Sequence, residues 1–232
     1  MKIIVFTDTH ANLPALRAFS KEIKKEGYDA AFHTGDAVGL GPWPAETIEL
    51  LEETPRLHLL AGNHEGWMCG GVPKGSARWL EEHYDWLKGR VTRRHLNAAA
   101  AWPLLTEHEF SGVRAAFVHY ALSACGTQVS LPISEQVASD LDALIDRHTS
   151  LLVFHGHRHK SSDVKGRVRY VNPGSLGCWH KPAARYAIAR FAKGKVSIQH
   201  KAVPYDWDEL LKGFRDRKVP DCQRILGSYF AK

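Results

Sequence analysis

The chain has 232 residues, 44% of them hydrophobic, and a formal net charge of +6. This length is ordinary for one α/β domain with a sizeable core, so we expect a single domain over residues 1–232. The positive excess suits a phosphate-bearing partner or simply a solvated surface, and no run of five or six like charges predicts a specific nucleic-acid partner.

The cysteines and the N-terminal residues predict a cytoplasmic protein. Residues 3–6 form an apolar run that is too short for a signal-peptide core or a membrane span, so no membrane partner is expected. The cysteines contain no C-x-x-C pair and are interpreted as free thiols in a reducing compartment. They are Cys69, Cys125, Cys178 and Cys222.

Asp8 and His10 follow the first predicted strand, a β-branched and aromatic run at residues 3–6. Residues two apart in extended backbone face the same side, so both side chains are expected to point at one ion. A helix is predicted over residues 13–27 from its apolar period and its terminal glycine. Asn12 precedes this helix and either caps it, which we favour, or reaches a substrate phosphate.

Two further predicted strands also end on side chains that can bind metals. The strand at residues 29–33 runs into Asp36, and the strand at residues 57–60 runs into Asn63 and His64. Ligand sites in open α/β sheets form beyond the carboxyl ends of strands. We therefore expect these side chains to share one site with the residues that follow the first strand.

The segment of residues 66–102 is predicted to be mostly helical and is interpreted as a helical cover over the site. One helix is expected from Ser76, as its cap, to Leu87, and a second over residues 92–102. Four large side chains in this segment are interpreted as packing residues rather than ligand contacts: Trp67, Met68, Trp79 and Trp86.

Strand patterns dominate the chain from residue 103 onward. One predicted strand delivers His119, and the buried strand at residues 151–154 ends just before His157 and His159. The other expected elements are a hairpin over 104–110 and 113–118, a helix over 134–147 capped by Ser134, strands over 168–171, 186–191 and 196–203, and a last helix over 207–214.

The short segments that follow these predicted strands are called blocks below. Together they supply carboxylates, imidazoles and one amide oxygen, with no thiolate. This mixture favours manganese, with iron, zinc or nickel as alternatives, over calcium or magnesium. The number of candidates exceeds what one tetrahedral ion takes and suits two ions, roughly 3.5–4 Å apart, that share a bridging carboxylate. The candidate ligands are Asp8, His10, Asp36, Asn63, His119, His157 and His159.

The ordered blocks D-x-H, G-D, G-N-H-E, a lone histidine and G-H-x-H resemble the signature of the calcineurin-like metallophosphoesterase superfamily. More narrowly, they resemble its small bacterial and archaeal phosphodiesterases. The blocks span residues 8–159, and the Asn-Pro-Gly-Ser sequence at residues 172–175 is also similar to a turn of that family. The resemblance implies an α/β fold, a four-layer α/β/β/α sandwich of two mixed sheets flanked by helices.

The resemblance also implies roles for individual residues. His64 would contact the phosphate and stabilise or protonate the leaving oxygen, while a water or hydroxide bridging the metals acts as the nucleophile. Seven side chains become metal ligands: Asp8, His10 and His159 for the first ion, Asn63, His119 and His157 for the second, and Asp36 as the bridge between them.

This chain departs from the family pattern near its candidate substrate contacts, without losing a ligand. Ala11 replaces the usual glycine after D-x-H, and Arg158 stands where threonine is common. We predict that Asn12, Arg158 and His180 contact substrate, because a guanidinium in particular suits a phosphate oxygen. The alternative for Arg158 is solvent, since strand alternation points it away from its neighbours.

Several residues keep a structural interpretation beside the functional one. His155 either donates a hydrogen bond behind the ligands or is simply packed, which we favour. Glu65 either orients His10 or His64 or starts a helix. Trp43 and Trp179 lie in loops where they are candidates for stacking on a base.

The favoured function is a phosphoesterase that cleaves phosphodiester or nucleotide-like phosphate bonds. A dinucleoside tetraphosphate hydrolase and a protein phosphatase are alternatives of the same fold. A non-catalytic scaffold, like a retromer subunit of this fold, is the alternative from another class. Such scaffolds usually lack some ligands or the imidazole at the position of His64, whereas this chain keeps all of them.

Overall fold

The computed structural model describes residues 1–120, 137–144 and 150–230, whose strands form two sheets. In chain order the described strands are β1 (Lys2–Phe6), β2 (Ala30–His33), β3 (Leu57–Leu59), β4 (Leu105–Phe110), β5 (Val113–Val118), β6 (Leu152–Phe154), β7 (Ser162–Lys165), β8 (Arg169–Asn172), β9 (Ala183–Ala192) and β10 (Lys195–Pro204). The described helices are α1 (Leu13–Glu26), α2 (Pro44–Glu52), α3 (Asn63–Gly70), α4 (Arg78–Lys88), α5 (Arg93–Ala100), α6 (Ala138–Leu144), α7 (Trp207–Asp216) and α8 (Cys222–Tyr229).

Both sheets are mixed and have five strands each. The first sheet has the order β10-β9-β1-β2-β3, in which β1, β2 and β3 run parallel and β9 pairs antiparallel with β1. The second has the order β4-β5-β6-β8-β7, in which β5, β6 and β8 run parallel. The central strands are buried on both faces, which explains their continuous apolar sequences.

An aromatic core lies between the two sheets. Phe32 of the first sheet stacks on Phe117 of the second with 3.8 Å between ring centroids, and Phe117 lies 5.2 Å from Phe154. Ile3 and Val5 fill the same layer and are completely buried. Sheet-to-sheet packing of this kind fixes how the strand ends of one sheet face those of the other.

Helices cover the outer faces of both sheets and complete four layers. Leu16 and Phe19 of α1 pack on the outer face of the first sheet, and Leu141 of α6 packs on the second. Helix α1 begins as predicted, because the Asn12 side chain accepts a hydrogen bond from the Ala15 N–H at 3.1 Å. Gly27, with φ of +63°, ends it.

The two sheets meet at the carboxyl ends of their central strands. Thr7, just after β1, forms a parallel bridge with Ser175, just after β8. The Gly156 N–H donates to the His119 carbonyl at 2.9 Å and closes the loops that follow β5 and β6. This seam, where all the loops with candidate ligands converge, is where we expected the site.

The structure corrects several sequence-based boundaries. Strand β7 and helix α8 are additional elements, so α7 is not the last helix, and α3 begins directly at Asn63. Ala77 rather than Ser76 precedes α4, since the Ser76 hydroxyl donates to the Pro73 carbonyl instead. The helix predicted over residues 134–147 is described only within α6, and its predicted cap lies outside the described residues.

The described cysteines are unpaired, and the described helices do not have the character of membrane spans. Cys69, Cys178 and Cys222, the cysteines within the described ranges, are free thiols. In the part of the chain that the structure describes, every helix is too short or too polar to cross a bilayer.

Candidate metal centre

The loop after β1 brings Asp8 and His10 together through left-handed backbone. Asp8, His10 and Ala11 have φ values of 53°, 49° and 50°, so the extended conformation we expected is wrong. Hydrogen bonds from these three N–H groups to the carbonyls of residues 35, 36 and 37 hold the loop. Asp8 Oδ1 nevertheless lies 3.6 Å from His10 Nε2. A left-handed backbone at Ala11 also explains why glycine suits that position.

Asp36 reaches the seam through a turn that only glycine permits. Gly35 has a φ of +105°, and a Cβ there would lie 2.8 Å from the Gly62 backbone and from His119 Cβ. The loops after β2, β3 and β5 therefore touch at this point. Their close approach places Asp36, Asn63 and His119 around one space.

The first donor group consists of Asp8, His10 and His159. The two imidazole Nε2 atoms lie 3.0 Å apart, and each lies 3.6 Å from Asp8 Oδ1. His10 Nδ1 lies 3.3 Å from the Val38 carbonyl, an acceptor that places the ring proton on Nδ1. The Nε2 lone pair then faces the other donors, as metal ligation requires.

The second donor group consists of Asn63, His119 and His157. His157 Nδ1 lies 3.0 Å from Asn63 Oδ1, and His119 Nδ1 lies 2.9 Å from the Thr34 carbonyl. His119 Nε2 lies 3.0 Å from Asp36 Oδ2, and the same carboxylate oxygen lies 4.0 Å from His10 Nε2. Asp36 therefore stands between the two groups, which is the position of a bridging ligand.

The charges of both groups fit divalent cations. Burial alone would raise the pKa of the Asp36 carboxyl, but the neighbouring His119 and His64 hold it well below its ordinary value. Burial lowers the pKa of His157 and of His159 to about 4, so both rings are neutral at physiological pH. His157 and His159 therefore offer imidazole lone pairs beside ionised carboxylates. Burial alone would lower the pKa of His119, but Asp36 raises it to about 9, so that ring would release a proton on binding a cation.

Two buried atoms of these groups also lack a hydrogen-bond partner within the described residues. They are Asp8 Oδ1 and His119 Nε2, and the latter lies 3.0 Å from Asp36 Oδ2 as an ion-pair contact. A buried carboxylate oxygen without a partner is costly, so an atom of this kind is expected where a cation binds. The donor set and its unpartnered atoms fit the predicted metal ions.

The sequence match decides the family. The model of the calcineurin-like phosphoesterase superfamily domain matches residues 1–194. The chain belongs to this superfamily. The uncharacterized protein MJ0912 of Methanocaldococcus jannaschii is 31% identical over 238 residues, which cover 94% of either chain. The resemblance inferred from the ordered blocks is thereby confirmed.

Solved structures with the superfamily fold are also similar. A metallophosphoesterase from Sphaerobacter thermophilus has a TM-score of 0.70 and 21% identity, over 97% of this chain and 98% of that one. The hypothetical protein PH1004 from Pyrococcus horikoshii OT3 has a TM-score of 0.79 and 17% identity, over 97% and 96%. These likenesses concern the fold and confirm the predicted sandwich of two mixed sheets between helices.

His64 lies beside the two donor groups at the start of α3. Its ring Nε2 is 3.8 Å from Asp36 Oδ2, and its backbone N–H donates to Asp36 Oδ1 at 2.9 Å. Its Nδ1 lies 2.6 Å from Tyr84 Oη, a contact that the sequence did not reveal. His64, His10 and Asp36 lie close enough to form a further group of possible donors, so the ring borders the space between the two donor groups.

Glu65 supports the site through the backbone. It lies in the first turn of α3, and its carboxylate accepts from the N–H groups of Gly62 at 2.7 Å, Asp36 at 2.9 Å and Val38 at 3.1 Å. Burial and the charge of Asp36 raise its pKa to about 7. Its described partners are thus backbone amides, not the imidazoles of His10 or His64, and it ties two ligand loops together.

A cavity of about 820 Å³ opens above the two donor groups. Its lining includes aromatic and apolar side chains, here called the apolar wall, and polar or basic side chains, here called the polar wall. The apolar wall consists of Trp67, Trp79, Leu80 and Tyr229. The polar wall consists of Arg158, Lys160, Ser161 and Ser162. Residues of the helical cover therefore line the site, and Trp67 and Trp79 face the cavity as well as packing on the core.

The predicted substrate contacts occupy different places. Arg158 lines the cavity rather than pointing only to solvent. Asn12 is fully buried, and its amide is engaged as the α1 cap and as a donor to the Gly177 carbonyl at 2.8 Å. His180 is exposed next to Trp179, with 4.1 Å between their rings, and is not a lining residue of the cavity.

Three other residues that the sequence analysis singled out are held by contacts within the protein. His155 is buried, its Nδ1 lies 3.4 Å from the Gly156 carbonyl, and burial lowers its pKa to about 4. Trp43 packs against Gly213 of α7 and Trp179 against the Arg185 guanidinium at 3.8 Å, so both rings have protein partners.

Sequence reasoning missed Cys178, Tyr84 and Tyr229. Cys178 Sγ lies within 4.8 Å of donor atoms of His10 and His159, but burial raises the pKa of the thiol well above its ordinary value and keeps it protonated. Tyr84 lies on α4 and Tyr229 on α8, both outside the blocks that supply the candidate ligands. No spacing in the sequence links either residue to the metal-binding blocks.

Proposed function

We propose that this protein is a metal-dependent phosphoesterase that hydrolyses phosphodiester or nucleotide-like phosphate bonds by in-line attack of an activated water. The observation that supports this proposal is the pair of buried donor groups that share Asp36 and open, beside His64, into one cavity. Two divalent cations, manganese before iron, zinc or nickel, supply Lewis acidity and lower the pKa of a coordinated water when bound there.

The residues of the chain orient the substrate around this centre. The two donor groups would hold the cations, and Asp36 lies between the groups. His64 Nε2 faces the same space and is available to donate a hydrogen bond to the leaving oxygen or to a phosphate oxygen. Arg158 lines the cavity wall, where its guanidinium suits a non-bridging phosphate oxygen.

The mixed lining of the cavity favours a substrate in which a planar apolar group is attached to the phosphate. Trp67 and Trp79 are half-buried and offer aromatic surface to a base, while Arg158 and Lys160 offer positive charge to phosphate oxygens. A nucleotide diester presents both features. We therefore expect nucleoside esters to bind more tightly than methyl esters of the same phosphate.

The test combines metal binding with hydrolysis. Purified protein is titrated with Mn²⁺ by calorimetry, and turnover of bis(p-nitrophenyl) phosphate is measured with and without Mn²⁺. We expect binding of two ions and metal-dependent turnover that Asp36→Asn and His64→Ala each strongly reduce. Asp216→Asn and His58→Ala change exposed residues away from the cavity and serve as controls.

Two results would reject the proposal. Turnover that is unchanged in both Asp36→Asn and His64→Ala would show that another site carries the activity. A protein that binds no Mn²⁺ and hydrolyses no ester in a panel of nucleotides, cyclic nucleotides and phosphopeptides would instead support the non-catalytic scaffold.

A further inference from the structure

The helical cover contacts His64 through a buried hydroxyl. Tyr84 of α4 reaches across to the start of α3, where its Oη lies 2.6 Å from His64 Nδ1. Tyr84 is 2% exposed and His64 is 8% exposed, so water does not compete strongly for this hydrogen bond. At this distance and burial, the contact restricts both the orientation and the protonation of the imidazole.

The chemistry of the phenol sets the direction of the hydrogen bond. Burial, followed by the charges of Asp36 and Glu65, raises the pKa of Tyr84 well above its ordinary value, so the hydroxyl keeps its proton. His64 Nδ1 is the hydrogen-bond partner of this hydroxyl among the described residues. Because the buried hydroxyl proton would otherwise have no acceptor among the described residues, the hydroxyl is assigned as the donor to Nδ1, and this assignment leaves the ring proton on Nε2.

The surroundings leave the ring one orientation. Gly39 approaches so closely that a Cβ at this position would collide with His64 Nδ1. The Trp67 ring lies 4.8 Å from the His64 ring, and the His10 ring lies 4.7 Å from it on another side. The imidazole is thus enclosed by its neighbours, with Nε2 directed toward Asp36 and the cavity.

We propose that Tyr84 is a positioning residue that holds His64 as the Nε2–H tautomer, aimed as a hydrogen-bond donor at the leaving oxygen. This proposal rests on the proposed function for its catalytic consequence. No proton is transferred: the phenol proton stays on Tyr84, the ring proton stays on Nε2, and the hydrogen bond strengthens as negative charge develops on the leaving oxygen. The role of the cover is then to orient a group as well as to enclose the substrate.

Tyr84→Phe tests the proposal because it removes only the hydroxyl. Tyr186→Phe is the matched control, since Tyr186 is also fully buried but its hydroxyl lacks a hydrogen-bond partner in the described part of the chain. Diesters with phenol leaving groups of increasing basicity are the substrates. We expect kcat of Tyr84→Phe to fall at least about tenfold for the most basic leaving group, with KM within about twofold and a smaller loss for p-nitrophenolate.

Nitrogen NMR of the Zn²⁺-loaded protein provides a readout that is independent of turnover. Histidine is labelled with ¹⁵N, and the His64 ring is assigned from the signals lost in His64→Gln. We expect a single Nε2–H tautomer in the wild type and in Tyr186→Phe, and a mixture or the other tautomer in Tyr84→Phe.

The outcomes separate this proposal from the proposed function. An Nδ1–H tautomer in the wild type, or an unchanged tautomer in Tyr84→Phe, would overturn the inference whatever the activity. A kcat loss equal to that of Tyr186→Phe, or one that does not depend on the leaving group, would overturn it as well. A wild-type protein without metal-dependent turnover would instead reject the proposed function, while the tautomer would still decide whether Tyr84 positions His64.

Discussion

The two donor groups and the helical cover are built on different principles. Each donor side chain follows a strand of one of the two sheets, and backbone hydrogen bonds such as Asp8 N–H to the Gly35 carbonyl, at 3.0 Å, fix its loop. The helical cover instead meets the site through side chains, chiefly Tyr84 on His64 and the His83 ring, which accepts from the Leu40 N–H at 2.9 Å. Changes in the first region should therefore remove metal and activity together, whereas changes in the second should alter orientation and substrate preference.

The largest effect should come from crowding the donor groups themselves. Gly62→Ala would place a Cβ on Asp36 Oδ1 without backbone strain, because Gly62 has extended backbone with φ of −101°. We expect Mn²⁺ affinity to fall at least about 100-fold, the upper range for losing ligand orientation, and turnover to fall with it. Calorimetric titration measures this loss.

Gly66→Ala is the matched control for this experiment. Gly66 lies in α3, and a Cβ there would meet nothing within 4 Å. Alanine should raise the free energy of unfolding slightly through its helix propensity and leave Mn²⁺ binding unchanged. Equal affinities of the two variants would contradict a bridging position for Asp36.

The next effect concerns Glu65, which joins the two regions. In the wild type, the Glu65 carboxylate oxygens accept hydrogen bonds from backbone N–H groups. Glu65→Gln replaces one of these oxygens with an NH₂ group, which cannot accept, so at least one buried hydrogen bond is lost. We expect the free energy of unfolding to fall by about 2 kcal/mol in urea titrations at pH 8, where the carboxylate is mostly ionised. A variant as stable as the wild type would show that these contacts do not hold the loops.

A smaller effect is expected on the apolar wall of the cavity. Trp79→Ala removes half-buried aromatic surface that borders the cavity but leaves the donor groups intact. Because stacking of a base on an aromatic ring contributes about 1–3 kcal/mol, KM for a nucleoside p-nitrophenyl phosphate should rise about tenfold. The KM for methyl p-nitrophenyl phosphate should barely change, and equal increases for both esters would contradict stacking.

The smallest effect should be a pH dependence of the free energy of unfolding that comes from His83 in the helical cover. Burial, with a contribution from His10, lowers the pKa of His83 to about 4, below its ordinary value of 6.5. The unfolded chain therefore binds the proton more readily, so the stability from a neutral His83 is present above pH 6.5 and is lost as the pH falls toward 4. His83→Gln keeps an acceptor for Leu40 and does not titrate.

The measurement is the free energy of unfolding of the metal-free protein at pH 7 and pH 5.5. In His83→Gln we expect the loss between these values to shrink by about 1 kcal/mol relative to the wild type. His58→Gln, which changes an exposed imidazole, is the control. A wild-type loss that His83→Gln leaves unaltered would assign the pH dependence to other groups.

The same contrast explains how far the sequence predicts this molecule. The convergence of the donor groups was predictable because each block is short, local and placed after an apolar strand, so seven candidate ligands could be named before any coordinates. Even there, the extended backbone that we expected at Asp8 and His10 was wrong. Hydrogen bonds to the loop after β2 impose a left-handed backbone on both residues.

The cover and the C-terminal elements were less predictable for physical reasons. Tyr84 and Trp79 lie on an amphipathic helix, where aromatic residues ordinarily indicate packing, and their contacts depend on the orientation of that helix. Strand β7 is mostly polar, and α8 carries few buried apolar residues, so neither has a strong periodic signal. Tyr229 reaches the cavity only because α8 packs beside the loops after β6.

The seam bridged by Thr7 and Ser175 has a consequence for how the protein matures. Asp8, His10, Asp36 and Asn63 follow strands of one sheet, and the three remaining donors follow strands of the other. Under the proposed function, a nascent chain with only one sheet formed lacks a full coordination sphere and is inactive. Binding of the cations would then hold the two sheets together, so the protein would become active only when its tertiary structure is complete.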